Sequence, residues 1–404
     1  MQVIHERCAG LDVHKKTVVA CVITPQKQEI RTFPTMTQDL LQLADWLTDQ
    51  EVTHVAMEST GSYWKPIYNL LEDLDFTLLV VNAQHMKAVP GRKTDVKDAE
   101  WIADLLHHGL LKPSYIPDRD QRELRELVRY RRSLIQERAR VIHRIQKVLE
   151  GANIKLDSVM SDITGVSGRA MLQALSEGTE DPAELAALAK GRLRSKIPDL
   201  KVAAQGLMGP HQRMMLGIQL QHLDFLAHQI EQLDQEVVKR MQLQEEAIEC
   251  IDGIPGIGRR TAEEVLAEIG PDMSRFPTAG HLASWARLCP GHNESAGKRK
   301  NSSTGRGNPW LRSALVEGAW VAARTKDTHF STKYRRLAAR RGKKRAIIAL
   351  AHMILKIVYH LLQDKTEYRE LGSNHPDQRN SLRVVRTAAR RIEDLGYKVT
   401  IEVA

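Results

Sequence analysis

Asp12, Glu58, Asp95 and Asp98 are four acids at strand positions and one helix start, and the first of them, mid-strand, has few structural uses. Asp12 sits inside the apolar run of AGLDVHKK, where an unpaired charge would cost several kcal/mol or be neutralised. Glu58 closes another apolar run, VAMESTG. Asp95 and Asp98 stand three apart in KTDVKDAEW at a predicted helix start, so both face one side. Helix capping alone would account for that last pair, since a helix N-terminus favours negative charge. Taken as four, they form a donor set for a hard divalent ion. Mg²⁺ (or Mn²⁺) takes oxygen ligands, keeps some waters and bridges to phosphate oxygens. The predicted chemistry is phosphoryl transfer.

A second group lies in HNESAGKRKNSSTGRGNPWLR, residues 292–312. Ser295 is followed by Ala296 and Gly297, then by Lys298, Arg299 and Lys300, with Arg306 and Arg312 downstream. Small neighbours would let a DNA backbone come close, and the cations would neutralise phosphates and the charge developing on phosphorus. A P-loop is excluded: five residues separate Gly291 from Gly297, and Arg299 follows the lysine where Ser or Thr is required. A serine hydroxyl is a poor nucleophile without a base or metal. His292 is the nearest candidate in sequence, and the upstream acids could supply a metal. The plainer reading is a solvated surface loop, mobile until DNA arrives. Ser302 and Ser303 lack the small neighbours and are expected to be loop or phosphate contacts.

The elements that must position these groups change character along the chain. Residues 1–117 alternate strand and helix signals: two strands in CAGLDVHKKTVVACVI, a third in QEIRTFPT, then helix, strand, helix, strand, and a helix ending at Gly109. This predicts a mixed sheet covered by helices. Over residues 118–248, apolar residues recur every seven positions, first from Leu127 to Leu149 and again from Leu216 to Val237. The simplest arrangement is an antiparallel helical arm with an inserted cap of short helices, and such an arm suits dimerisation. Arg122, Arg125, Arg129, Arg132, Arg140, Arg144 and Lys147 line its other faces, either as a solvated surface or as a nucleic-acid contact. Residues 249–364 open with IDGIPGIGRRTAEEVLAEIG, a helix-hairpin-helix pattern. Gly256 and Gly258 would let backbone N–H groups approach a phosphate beside Arg259 and Arg260. A plain tight turn is the alternative. The charged tail, 365–404, has no assigned role.

Lys plus Arg exceed Asp plus Glu by 59 to 50, a formal charge of +9, which points to nucleic acid or anionic membranes as partners. No signal peptide is expected from MQVIHERCAGLDVHKK. AIIALAHMILKIVYHLL carries His352, Lys356 and His360 and reads as a buried helix, so no membrane partner is expected. Cys8, Cys21, Cys250 and Cys289 show no paired metal-ligand spacing, which argues against a zinc site or disulfide framework and fits a reducing cytoplasm.

The acids of GLDVHKK, MEST and KTDVKDA, the long arm, GIPGIGRRTA and NESAGKRK follow one another in an order that resembles the DEDD-type transposases of the IS-one-ten/IS-eleven-eleven insertion sequences. Ala296 sits where a glycine is frequent in that family. The resemblance spans about residues 5 to 362. It implies an N-terminal RNase H-like, RuvC-like domain joined by a coiled coil to a mostly helical transposase domain. It places Asp12, Glu58, Asp95 and Asp98 on the metal-binding acids and Ser295 on the catalytic serine. It also implies cutting and rejoining of donor and target double-stranded DNA through a covalent serine–DNA link. Sites would be chosen by a structured non-coding guide RNA. The expected assembly is a dimer, or a tetramer when both DNAs are held, with acids and serine drawn from different subunits. Two rivals are a Mg²⁺-dependent nuclease or Holliday-junction resolvase using water, and a non-catalytic nucleic-acid-binding assembly protein.

Overall fold

A computed structural model describes residues 2–59, 61–82, 98–290, 293–295, 298–301, 304–305, 307–373 and 381–400. The chain forms two compact units, Met1–Asp120 and Gln121–Ala404.

The first unit is built on a five-stranded mixed sheet, the architecture expected from its alternating pattern. Its strands are β1 (Cys8–Val13), β2 (Thr17–Ile23), β3 (Gln28–Pro34), β4 (His54–Glu58) and β5 (Thr77–Val81), in the order β3-β2-β1-β4-β5. β2 pairs antiparallel with β1 and β3, whereas β1–β4 and β4–β5 are parallel. Helices α1 (Thr37–Asp49) and α2 (Trp64–Leu71) cover one face, burying Leu43, Leu47, Ile67 and Leu71 against Leu11 and Met57. On the other face α3 (Asp98–His107) buries Ile102 and Leu106 against Cys8 and Ala56. Successive strand residues alternate faces, so β1 serves both layers.

Gly10 is what lets α3 lie on β1. A Cβ there would stand 2.3 Å from the Ala103 amide nitrogen and 2.5 Å from the Ala99 carbonyl oxygen. Both obstacles are backbone and cannot swing aside. Gly10→Ala is expected to destabilise this unit by about 3 kcal/mol, near the upper end of overpacking costs, read as a lower midpoint in urea denaturation.

The second unit holds two apolar cores. Its arm is α4 (Arg119–Gly151) running out and α5 (Pro210–Arg240) running back. Glu123 pairs with Arg240, Arg131 with Asp234, and Glu137 with His222, an order that fixes the two helices as antiparallel. Val141, Ile145 and Val148 share one core with Leu216, Leu220 and Leu223. Four short helices between them (Leu156–Val159, Val166–Glu177, Pro182–Ala187 and Ile197–Ala203) close that core at the tip through Leu172, Leu175, Leu185 and Leu200.

The other core joins the base of the arm, through Leu124, Val128 and Val237, to a helical bundle. The bundle comprises α6 (Glu245–Asp252), α7 (Arg259–Ile269), α8 (Ala279–Trp285), α9 (Pro309–Arg324), α10 (His329–Arg341) and α11 (Lys343–Asp364). α11 is the one helix among the described residues long and apolar enough to cross a membrane. It packs in the bundle core through Ile347, Leu350, Ile354, Leu355 and Val358. Its Tyr359 hydroxyl donates to the Phe276 carbonyl at 2.9 Å. Beyond it the tail forms α12 (Ser381–Glu393).

Part of the arm's basic face is turned onto acids of the same chain. Arg129 holds Glu268 with two hydrogen bonds of 2.7 and 2.8 Å, and Arg132 pairs with Glu264 and Glu317. Arg131, 1% exposed, pairs with Glu263 at 2.7 Å. These residues clamp α4 to α7 and α9. Arg140, Arg144 and Lys147, farther out, remain exposed.

Candidate active site

Asp12 and Glu58 come together through strand register. Leu11 of β1 is level with Met57 of β4, so Asp12 and Glu58 are the next step along parallel neighbours. Leu11 and Met57 face the α1–α2 layer, hence Asp12 and Glu58 face the α3 side. α3 runs antiparallel to β1: the His107 carbonyl accepts from the Ile4 amide ahead of the strand, the Ala103 carbonyl accepts from the Cys8 thiol, and Gly10 lies under Ala103 and Ala99. Its N-terminus, Asp98, is therefore at Asp12's end of the strand. Three acids share one face and one end of the sheet. Asp95 lies outside the described residues.

The acids do not close into a finished ligand cage. Among the described residues no three His, Cys, Asp or Glu side chains are close enough together to hold a metal ion. Asp98 is exposed, and one Asp12 oxygen bonds the His14 ring at 3.0 Å. The donor chemistry nevertheless fits a hard divalent cation, because every candidate ligand is a carboxylate oxygen. His14 is an addition to the predicted residues. The signal for it was its spacing, two positions from Asp12 at a strand end.

The serine segment is a β-hairpin where sequence suggested a loop. β6 (Asn293–Ser295) pairs antiparallel with β7 (Lys298–Asn301), and Ser295 faces Lys298 in register. Ser295 is thus the last residue of β6, joined to β7 by Ala296 and Gly297, which lie outside the described residues, as do His292, Ser302, Ser303 and Arg306. Arg299 pairs across the ladder with Glu294, and Lys300 is next along β7.

Both feet of the hairpin are fixed. An isolated bridge joins Pro290 to Thr304, and Arg312 donates to the Thr304 hydroxyl at 2.7 Å. Before the first foot, Leu288 is buried and the Cys289 thiol meets the His352 ring at 3.8 Å. Burial, then the nearby Lys356, lowers the His352 pKa, which favours the neutral ring. After the second foot, Gly307 lies so close to α8 that a Cβ would stand 2.5 Å from the Ala286 carbonyl oxygen.

The two glycines of the GIPGIG turn have different tasks. Gly256 has φ +89° and lies against α9, where a Cβ would be 2.2 Å from the Gly318 carbonyl oxygen. Gly258 caps α7 with open space beside it, so that helix N-terminus is the one a phosphate could reach. Arg259 makes two bonds to Glu245, at 2.5 and 2.7 Å, and Arg260 one to Asp234 at 2.6 Å. In this structure both arginines brace the turn.

Carboxylates gathered at one end of a sheet, with a serine on a cationic hairpin, suit an enzyme acting on nucleic-acid phosphodiesters. A family model described as Transposase matches residues 9–154, and one described as Transposase IS116/IS110/IS902 family matches residues 248–335. The first stretch contains all four acids and the second contains the GIPGIG turn and Ser295. The chain is similar to the pilin gene-inverting protein of Moraxella lacunata, 24% identical over 381 residues that cover 89% of this chain and 96% of that one. It is also 24% identical to the transposase for insertion sequence element IS1111A of Coxiella burnetii, over 89% of this chain and 90% of that one. A 121-residue stretch is 36% identical to a 43.6 kDa protein of insertion element IS110 of Streptomyces coelicolor, covering 29% of each chain. The chain belongs to the IS110 family of transposases, enzymes that cut and rejoin DNA.

Proposed function

We propose that this transposase cuts DNA with the Ser295 hydroxyl and rejoins it from a covalent serine–DNA intermediate. The observation that carries this is the placement of Ser295 at a strand end on a hairpin with fixed feet, level with Lys298. The serine oxygen bonds to phosphorus, a DNA hydroxyl leaves with a proton, and the reverse step by another strand's hydroxyl releases the serine. Lys298, Arg299, Lys300, Arg306 and Arg312 hold the phosphates and the charge of the transition state. The N-terminus of α7, open at Gly258, supplies a second phosphate contact as a helix-hairpin-helix, with Gly256 packing the turn on α9 and Arg259 and Arg260 bracing it until a phosphate competes for them.

Asp12, Glu58, Asp95 and Asp98 are the residues that would hold Mg²⁺ or Mn²⁺. When bound, the ion would supply positive charge to the scissile phosphate and lower the pKa of the attacking hydroxyl. The sheet order and the acids at the ends of β1 and β4 support an RNase H-like, RuvC-like reading of the first unit. Donor and target double-stranded DNA are the substrates. A structured guide RNA is the partner that selects sites, a role that rests on family resemblance alone, since the +9 charge suits DNA and RNA equally.

The acids and the serine belong to different compact units; the arm's seam is buried within the chain, and the apolar residues α5 leaves exposed, Met214, Ile218 and Phe225, are the surface for self-association. Dimers, or tetramers in the complex with both DNAs, would assemble each active site from two chains. Mixing Asp12→Ala protein with Ser295→Ala protein is expected to restore strand cleavage that neither shows alone. Failure of every mixing ratio would count against assembly between subunits. Sequencing the RNA that co-purifies with the protein, and assaying DNA matched to it, tests the guide. Equal cleavage of matched and scrambled DNA would remove it.

A further inference from the structure

Glu268 takes no part in the chemistry above, yet it is 2% exposed and its carboxylate is fully used. Oε1 accepts from Arg129 Nε at 2.7 Å, and Oε2 accepts from Arg129 Nη2 at 2.8 Å and from Asn308 Nδ2 at 2.5 Å. Arg129 belongs to the arm helix α4, whereas Asn308 caps α9 at the end of the segment that leads from β7.

Asn308 is oriented from both ends. Its Oδ1 accepts from the Trp310 and Leu311 amides at 3.0 and 3.2 Å, capping α9 and turning the amide group towards Glu268. Ser, Thr and Asp cap a helix as well as Asn does, but Asn alone adds a separate pair of N–H donors to the capping oxygen. The residue type therefore answers two demands at once. Next to it Gly307 is pressed onto Ala286, and Thr304 closes the hairpin stem with Pro290 while bonded to Arg312 of α9. A displacement of Asn308 bears directly on Gly307 and, through Arg312 of α9, on Thr304 at the hairpin stem. On the arm side, Arg125 donates to the Ala267 and Glu268 carbonyls, and the Arg129 guanidinium lies 5.9 Å from the Trp310 ring centre.

We propose that Glu268 is a positioning residue which, through Asn308, ties arm helix α4 to the hairpin bearing Ser295. The arm's orientation then sets where the serine stands, so assembly through the arm and readiness of the nucleophile are linked. This rests on Ser295 being the nucleophile.

The test uses three full-length variants, all keeping a residue that caps α9. Asn308→Asp sets a carboxylate against Glu268, and Asn308→Ser retains the cap but is too short to reach it. The double variant Asn308→Asp with Glu268→Gln returns a donor–acceptor pair to the Asn308 side, while Arg129 keeps only its Nε bond to the remaining side-chain oxygen, so the link is restored in part. Single-turnover cleavage by the Asp variant is expected to fall about 100-fold, the scale of an ångström's misplacement, with DNA affinity within about twofold of wild type. The Ser variant should fall less, and the double variant should regain part of the rate lost by the Asp variant. Amide exchange across residues 293–301 should quicken in the Asp variant and slow again in the double variant. Wild-type cleavage and unchanged hairpin exchange in both single variants would overturn the proposal, as would a double variant that melts like wild type without recovering. Quickened exchange with undiminished cleavage would uphold the link between arm and hairpin and refute Ser295 as the nucleophile it serves.

Discussion

Ser295→Ala is expected to abolish strand cleavage, by about 10³-fold or more, together with every covalent protein–DNA product. Removing one hydroxyl from the end of β6 leaves the ladder to β7 intact, because that ladder is made by backbone groups. Lys298, Arg299 and Lys300 also remain, so DNA affinity should stay within about threefold of wild type, since phosphate contacts supply most of it. The pair of readouts separates chemistry from binding. Gel-resolved cleavage and adduct, measured beside a binding isotherm at one salt concentration, make the comparison. A variant that still cleaves while losing its adduct would mean that water attacks and that Ser295 only binds phosphate.

Asp12→Asn should have an effect of the same order. The amide keeps the shape of the carboxylate, and the strand neighbours Leu11 and Val13 stay buried, so the sheet should form. The negative charge is lost, and with it the capacity to hold a divalent ion beside Glu58. Cleavage is expected to fall by about 10³-fold, with DNA affinity little changed. Mn²⁺ binding, followed by its electron paramagnetic resonance signal, should weaken in step. Unaltered Mn²⁺ binding would show that Asp12 is not a ligand. Its hydrogen bond to His14 would then be its main function.

Much of the scaffold was legible in the residues because burial leaves a period. The strands and helices of the first unit fall where apolar alternation placed them, and the seven-residue spacing marked both arm helices. The hairpin was not legible. Its strands, Asn293–Ser295 and Lys298–Asn301, are short and polar and bury no apolar face, so their pairing leaves no alternation to read. The fate of the arm's arginines was equally hidden. Arg129 and Arg132 are satisfied by Glu268 and Glu264, far away in sequence, and a charged helix face looks the same whether it meets water or acids on another helix. Burial raises the Glu264 carboxyl's pKa and Arg132 opposes it, which is the mark of an interior pair rather than a surface one. Gly256 shows the same limit: its spacing suggested phosphate approach, and its space is taken by α9 of the same chain.

If the oxygen of Ser295 becomes bonded to DNA phosphorus, the bond can be caught by stopping a cleavage reaction on Mg²⁺, digesting the protein and sequencing the nucleotide-bearing peptide by mass spectrometry. One modified peptide is expected, with the phosphodiester on Ser295. Cleaved DNA with no modified peptide at any time point, or a nucleotide carried by Ser302 or Ser303, would contradict it.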